Sequence, residues 1–203
     1  MKRIIIIALA LVAFSATEIY AQSLLNALKG AASAAIDKAI GGKLTEKAII
    51  GTWNYSQPGV KLLSENTLSD IAATTATTTI QTKIAPYYTK VGIKPGVCKF
   101  VINEDGTFSS TFGSKTYSGK YTFDPSTNKL NLQYLSDYVE EGSKLGAISA
   151  YAYMNGEKLQ IVFTMDKLLT LITSLGSSVE SLTTITELLK SYNSMKIGFE
   201  FSK

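Results

Sequence analysis

The residue types that carry most enzymatic chemistry are scarce in this chain of 203 residues. It contains no His and a single Cys, Cys98. Without His there is no Ser-His-Asp triad, no Cys-His pair and no imidazole ligand for a metal. One Cys forms neither an internal disulfide nor a cysteine-cluster metal site. The composition therefore argues against an enzyme and predicts no metal and no cofactor.

The carboxylates and the thiol are the remaining candidates for chemistry. Asp137 and Glu140-Glu141 stand in a polar stretch without the spacing of a calcium-binding loop. Asp105 and Asp124 occupy turn sequences. Cys98 lies in an alternating apolar segment with no base or cation beside it, which favours a buried, inert thiol. The chain has no phosphate-binding glycine loop and no nucleophile-elbow motif.

The N-terminus has the pattern of an export signal. Lys2 and Arg3 precede an apolar run from Ile4 to Phe14, which is too short for an ordinary transmembrane helix. Ala21 supplies the small residue of a cleavage site. We predict a signal peptide over residues 1–21 and an exported protein, periplasmic or extracellular, with no transmembrane span after its removal. A membrane anchor is the alternative.

The charge of the chain gives little support for a nucleic-acid partner. The formal net charge is +4, and removal of residues 1–21 takes away two positive charges and one negative charge, which leaves +3. Arg3 is the only Arg, so the mature chain has none. Because Arg dominates bidentate recognition of phosphate and guanine, and the lysines are scattered, we expect no nucleic-acid binding.

Apolar residues at helical spacing predict three helical segments, which cover 22–44, 62–92 and 166–192. The N-terminal helix either packs on the domain or contacts a partner. Pro86 or the threonine-rich run 74–79 is expected to kink or divide the second segment. Gly176 is expected to separate two short helices in the third.

Apolar alternation predicts eight strands, at 49–56, 97–104, 107–112, 116–123, 129–135, 146–154, 157–165 and 195–202. Short turns such as Asn155-Gly156 connect most of them into an antiparallel meander. Such a meander closes into an up-and-down β-barrel, which leaves no exposed edge. The predicted fold is therefore α+β, with an eight-stranded barrel over 45–203 and helical insertions between strands 1 and 2 and strands 7 and 8. A barrel of this size is filled by side chains or holds one small ligand.

The segment Gly51-Thr52-Trp53, at the start of the first strand, resembles the Gly-x-Trp signature of lipocalins. The hairpin 103–108 and the segment 117–121 are similar to small lipocalin-like domains. The whole mature chain resembles an uncharacterised family of secreted bacterial lipocalin-like proteins. The resemblance implies a calycin-like barrel with Trp53 packed across one end, and an insertion like the helical lid of fatty-acid-binding proteins. Lipocalins pair this Trp with an Arg, a place that Lys190 or Lys196 would take here.

Aromatic residues on the inward faces form the predicted ligand-binding set. Its members are Trp53, Tyr55, Tyr87, Tyr88, Phe100, Phe112, Tyr117, Tyr121, Phe163 and Phe199. Aromatic residues inside a barrel contribute to the core before they contact a ligand. Trp53 and Tyr55 can instead close the barrel, and Tyr87 and Tyr88 either belong to a lid or pack their helix.

Three functions follow from this interpretation. The first is a secreted, non-catalytic binding protein for a small apolar or amphipathic ligand in or near the barrel mouth. The alternative is an envelope-associated or secreted protein-interaction module, with a filled barrel and no small ligand. The third, an enzyme that uses Tyr, Lys or carboxylates, has the least support in the sequence.

Overall fold

A computed structural model describes residues 43–62, 70–135, 146–174 and 195–203. In chain order the elements are α1 (Lys43–Ala48), β1 (Gly51–Leu62), α2 (Asp70–Lys90), β2 (Cys98–Ile102), β3 (Thr107–Phe112), β4 (Lys115–Asp124), β5 (Lys129–Tyr134), β6 (Ala147–Asn155), β7 (Lys158–Phe163), α3 (Met165–Ser174) and β8 (Met195–Ser202). The predicted signal peptide and most of the N-terminal helix lie outside the described residues. So do the acidic stretch around Glu140 and the second half of the last helical segment.

The eight strands form one antiparallel sheet that closes on itself. Each strand pairs with the next along the chain, and β8 completes the ring by pairing with both β7 and β1. All eight predicted strands are present, and α2 and α3 lie in the two predicted insertions. None of the described helices is long and apolar enough to cross a membrane.

The first strand is longer than its sequence pattern predicts. Residues 57–62 continue β1, although we expected the strand to end at 56 and a helix to start at Leu62. A bulge between Tyr55 and Gln57 shifts the alternation, and Pro58 follows, so the period of two is lost from the sequence. Pro58 is tolerated because this half of β1 pairs with β8, while β2 pairs with residues 51–54.

The helix α2 is not divided at the threonine run or at Pro86. Thr79 and Thr82 hydroxyls each donate to the carbonyl four residues earlier, at 2.9 Å, so their polar groups are satisfied within the helix. The helix ends at Lys90, two residues before Gly92, whose φ of 83° suits glycine. There the Ile93 N–H donates to the Tyr88 carbonyl at 2.8 Å and the Gly92 N–H to the carbonyl of Thr89 at 3.0 Å, a Schellman motif that fixes the end of α2.

The closed sheet has two different ends. At one end, here called the base, lie α1 and the turns 103–106, 125–128 and 156–157. At the other end, here called the mouth, β1 leads toward α2 and β7 leads into α3. The two inserted helices therefore reach the sheet from the mouth.

A buried carboxylate links the three strands at the point of closure. Glu200 lies on the outer face of β8 and is 2% exposed. Its carboxylate accepts hydrogen bonds of 2.8 Å from Gln57 on β1 and from Lys158 and Gln160 on β7. These donors satisfy a buried charge that would otherwise be costly. The bulge in β1 places Gln57 in register with Glu200.

The close approach of β7 and β8 yields a test of the closure. A Cβ atom at Gly198 would overlap the Ile161 carbonyl oxygen and lie 2.8 Å from the Cα of Val162. We expect Gly198→Ala to lower the free energy of unfolding by about 1–3 kcal/mol, measured by urea denaturation, because the strands must separate to admit the methyl group.

Gly146→Ala is the matched control, because no atom of the described residues lies within 4 Å of a Cβ at Gly146. It should leave the urea midpoint close to that of the unmodified protein. An equal loss of stability in both variants would show that strand spacing at Gly198 is not the cause.

Candidate ligand-binding site

The structure brings most of the predicted aromatic set into the interior of the closed sheet. Seven members are buried: Trp53, Tyr55, Tyr88, Phe100, Tyr117, Phe163 and Phe199. Tyr87, Phe112 and Tyr121 are partly buried and pack against the same core. The set nevertheless separates into one group at the mouth and another toward the base.

Phe199 on β8 is the centre of the mouth group. Its ring centroid lies 6.1 Å from Tyr55, 5.6 Å from Tyr88 and 5.7 Å from Phe112. Phe163, at the end of β7, lies 5.9 Å away in an edge-on arrangement. These residues come from five elements, so the mouth group joins α2 to the interior of the sheet.

Trp53 lies at the base, away from α2. Its indole Nε1 donates to the Ile49 carbonyl at 2.7 Å. Lys203 lies over the indole ring, with its Nζ 4.9 Å from the centroid. The cation beside Trp53 is therefore Lys203. Lys196 lies instead over Tyr151, at 4.2 Å, and Lys190 is outside the described residues.

Tyr121 also belongs to the base, since its hydroxyl donates to the Asn103 carbonyl at 2.8 Å. Phe100 stacks on Phe108 at 5.4 Å, and Tyr117 meets the edge of Tyr134 at 6.3 Å. Phe108, Tyr134 and Phe201 are interior residues that the predicted set omitted. The sequence could have indicated these three residues, because each lies on the alternating apolar face of its strand, β3, β5 or β8.

The helix α2 contacts the mouth chiefly through a row of buried side chains, with Tyr87 and Val91 packed partly buried beside it. Ile80, Ile84 and Tyr88 follow at intervals of four and are at most 3% exposed. Beside them the Gln81 side chain donates to the Pro58 carbonyl of β1 at 2.8 Å. A shallow groove lies on α2, lined by Thr75, Thr78, Thr79, Thr82 and Lys83. The helix thus combines a small apolar contact with a polar, threonine-rich surface.

The Tyr88 hydroxyl is buried and has no hydrogen-bond partner among the described residues. An unsatisfied buried hydroxyl costs about 1–3 kcal/mol. Burial raises the pKa of Tyr88 well above its usual value, and the nearby Tyr55 phenol adds to the rise. Tyr88 is therefore a neutral donor that points into an aromatic interior.

The buried Tyr55 and Cys98 near the mouth are neutral as well. Burial, and then the neighbouring Cys98, raises the pKa of Tyr55 far above 10. Burial also raises the pKa of the Cys98 thiol, which lies 3.8 Å from the Gly92 carbonyl. A thiol of raised pKa is a poor nucleophile at neutral pH, which fits the predicted inert role of Cys98.

Ser110 and Tyr134 place two further hydroxyl groups in the interior. The Ser110 hydroxyl is buried near Tyr134 but outside hydrogen-bond geometry. Burial raises the pKa of Tyr134 to about 12, and Ser110 offsets only part of that rise. Glu200 is the one charged residue buried among the described residues, and it faces outward. The described part of the interior thus offers hydroxyl groups but no charge. It also holds no group of three or more metal-ligating side chains.

Comparison with known proteins agrees with this architecture. A closed antiparallel sheet with an aromatic interior and an inserted helix at its mouth defines a class of binding-type folds. Residues 24–203 match the family described as lipocalin-like domain (DUF4923), and the chain belongs to that family. The resemblance drawn from Gly51-Thr52-Trp53 is confirmed.

Among solved structures, the chain is similar to a DUF4847 family protein from Bacteroides vulgatus ATCC 8482, determined by crystallography at 1.00 Å resolution. The two are 14% identical, the match covers 78% of this chain and 96% of the other, and the TM-score is 0.34. No protein with a curated description matches the chain.

The unpaired hydroxyl of Tyr88 gives a stability test. We expect Tyr88→Phe to raise the free energy of unfolding by about 1 kcal/mol, measured by urea denaturation, because the ring stays and only an unsatisfied polar group is lost. Tyr121→Phe, which removes a hydroxyl that donates to Asn103, is the control and should be slightly destabilising. A Tyr88→Phe variant that loses more stability than Tyr121→Phe would contradict the absence of a partner.

The buried tyrosines also predict a loss of stability at alkaline pH. Tyr134 has a pKa of about 12 in the fold, above the ordinary value of 10.0. Its contribution is therefore complete below pH 10 and is lost as the pH rises toward 12, because the unfolded chain ionises first. For this residue the free energy of unfolding should fall by about 1.4 kcal/mol per pH unit in that range.

Urea denaturation at pH 8, 10 and 11 measures this slope, and Tyr134→Phe should make it shallower. Phenolate absorbance in which every tyrosine of the native protein titrates near pH 10 would contradict the burial of Tyr134.

Proposed function

We propose that this protein is a non-catalytic, lipocalin-like binding protein that admits a small apolar or amphipathic ligand at the mouth of its barrel. In this proposal α2 moves outward and the ligand enters between α2 and the other aromatic residues of the mouth group. The observation that carries the proposal is the Tyr88 hydroxyl, a buried donor without a described partner in an aromatic interior. Ligand sites typically combine such an apolar lining with a few placed polar groups.

The attachment of α2 supports a movable lid. The contacts of the described part of the helix with the sheet include three buried side chains and the hydrogen bond from Gln81 to Pro58, and Tyr87 and Val91 pack partly buried beside them. Burial of an aliphatic or aromatic side chain contributes about 1.5–3 kcal/mol. A ligand that covers the same aromatic surfaces would offset much of the free energy needed to move Ile80, Ile84 and Tyr88 away from the sheet.

Export is part of the proposal. The apolar N-terminal run and the small residue at Ala21 support a signal peptide over 1–21, and the absence of His supports a non-enzymatic role. We place the protein in the periplasm or outside the cell, with the barrel over 45–203.

A neutral apolar fluorophore, N-phenyl-1-naphthylamine, tests the function through its increase in emission on binding. We expect the full mature chain to bind it, and Ile84→Ala to bind it several-fold more tightly. Truncation of Ile84 weakens the contact of α2 and opens space at the mouth, since this side chain is 0% exposed.

The matched control is Val162→Ala, which also shortens a fully buried aliphatic residue but lies on the outer face of β7. It should leave the affinity unchanged. Equal gains in both variants would show that loosening of the fold, rather than the mouth, admits the fluorophore. No binding by any of the three proteins would contradict the proposed function.

The second candidate is a protein-interaction module with a filled barrel. The packing of Tyr55, Tyr88, Phe112 and Phe163 around Phe199 favours it, because these rings occupy the centre of the mouth. Failure of Ile84→Ala to bind the fluorophore would favour this function over ligand carriage.

A further inference from the structure

We infer that the ligand at the mouth is an uncharged apolar molecule with a hydrogen-bond acceptor, and that the Tyr88 hydroxyl donates to that acceptor. This inference rests on the proposed function and specifies its ligand class. It excludes fatty-acid anions and alkylammonium cations as the preferred ligands.

The position of the Tyr88 side chain supports its role as the hydrogen-bond donor. The carbonyl of Tyr88 accepts the hydrogen bond from Ile93 in the Schellman motif, and this bond holds the Tyr88 backbone at the end of α2. Its ring packs 5.6 Å from Phe199, and its hydroxyl has no partner in the described structure. A ligand acceptor next to this hydroxyl would therefore gain a hydrogen bond without breaking one inside the protein.

The exclusion of an anion follows from where the cations lie. Lys61 and Lys196 lie on the outer face, over the rings of Tyr153 and Tyr151. Lys203 is at the base beside Trp53. Lys90, Lys94 and Lys115 are near the mouth but exposed, and Lys90 lies 5.5 Å from the ring of Tyr87. None of these ammonium groups is in the interior, so a carboxylate beside Tyr88 would be buried without a described counter-ion.

The exclusion of a cation follows from the acids. Within the described residues the buried carboxylate is Glu200, and its oxygens already accept from Gln57, Lys158 and Gln160 on the outer face. The mouth groups Tyr55, Tyr88 and Cys98 stay protonated at neutral pH because burial raises the pKa of each. An ammonium group there would have no anionic partner among the described residues, whereas an ester or ketone needs only a donor.

The test uses three probes that share a ten-carbon acyl or alkyl chain: methyl decanoate, decanoate and decylammonium. Each competes with N-phenyl-1-naphthylamine for the full mature chain at pH 7.5. We expect methyl decanoate to displace the fluorophore at a concentration at least tenfold lower than either charged probe. Tyr88→Phe should weaken the binding of methyl decanoate about fivefold more than the binding of the fluorophore, as for loss of one neutral hydrogen bond.

The outcomes separate this inference from the proposed function. The inference is overturned if decanoate or decylammonium displaces the fluorophore as well as the ester does. It is also overturned if the ester affinity is unchanged in Tyr88→Phe. In both cases fluorophore binding still supports the proposed function. Absence of fluorophore binding overturns both. Tyr121→Phe, which removes a phenol hydroxyl that donates to Asn103 at the base, is the control and should keep the ester preference.

Discussion

The closure of the sheet by β8 is the constraint on which the remaining structure depends. Phe199 and Glu200 are adjacent residues on this strand and face opposite sides. Glu200 holds β1 and β7 on the outer face through three 2.8 Å hydrogen bonds, while Phe199 gathers the aromatic residues of the mouth inside. Because both roles depend on one strand, loss of its register would disturb the outer network and the core together.

The position of α2 follows from that closure. Tyr88 packs against Phe199, and Gln81 reaches the Pro58 carbonyl in the part of β1 that pairs with β8. The sheet therefore supplies both the apolar and the polar contact of the helix. The Schellman motif at Gly92 holds Tyr88 at the last turn, and the result is a buried hydroxyl that the described protein does not satisfy.

The sequence predicted the strands and the aromatic interior because alternation survives wherever a strand has one buried face. The prediction was incomplete in β1. There the bulge before Gln57 interrupts the alternation, and Pro58, which has no backbone N–H, is unusual in a strand, so the second half of the strand was not predicted. It also did not predict Lys203 beside Trp53, because that contact is set by the register of β8 with β1 rather than by a local pattern. The unpaired state of Tyr88 depends on three-dimensional packing, so spacing along the chain carries no signal for it.

A methyl NMR titration of isoleucine-labelled protein with N-phenyl-1-naphthylamine tests directly whether the ligand binds beneath α2. We expect the methyl signals of Ile80 and Ile84 on α2, and of Ile197 near the mouth, to shift with added fluorophore. Ile49 and Ile102, which lie at the base, should keep their positions. Shifts confined to the base, or unchanged Ile80 and Ile84 signals at saturation, would contradict a ligand site beneath α2.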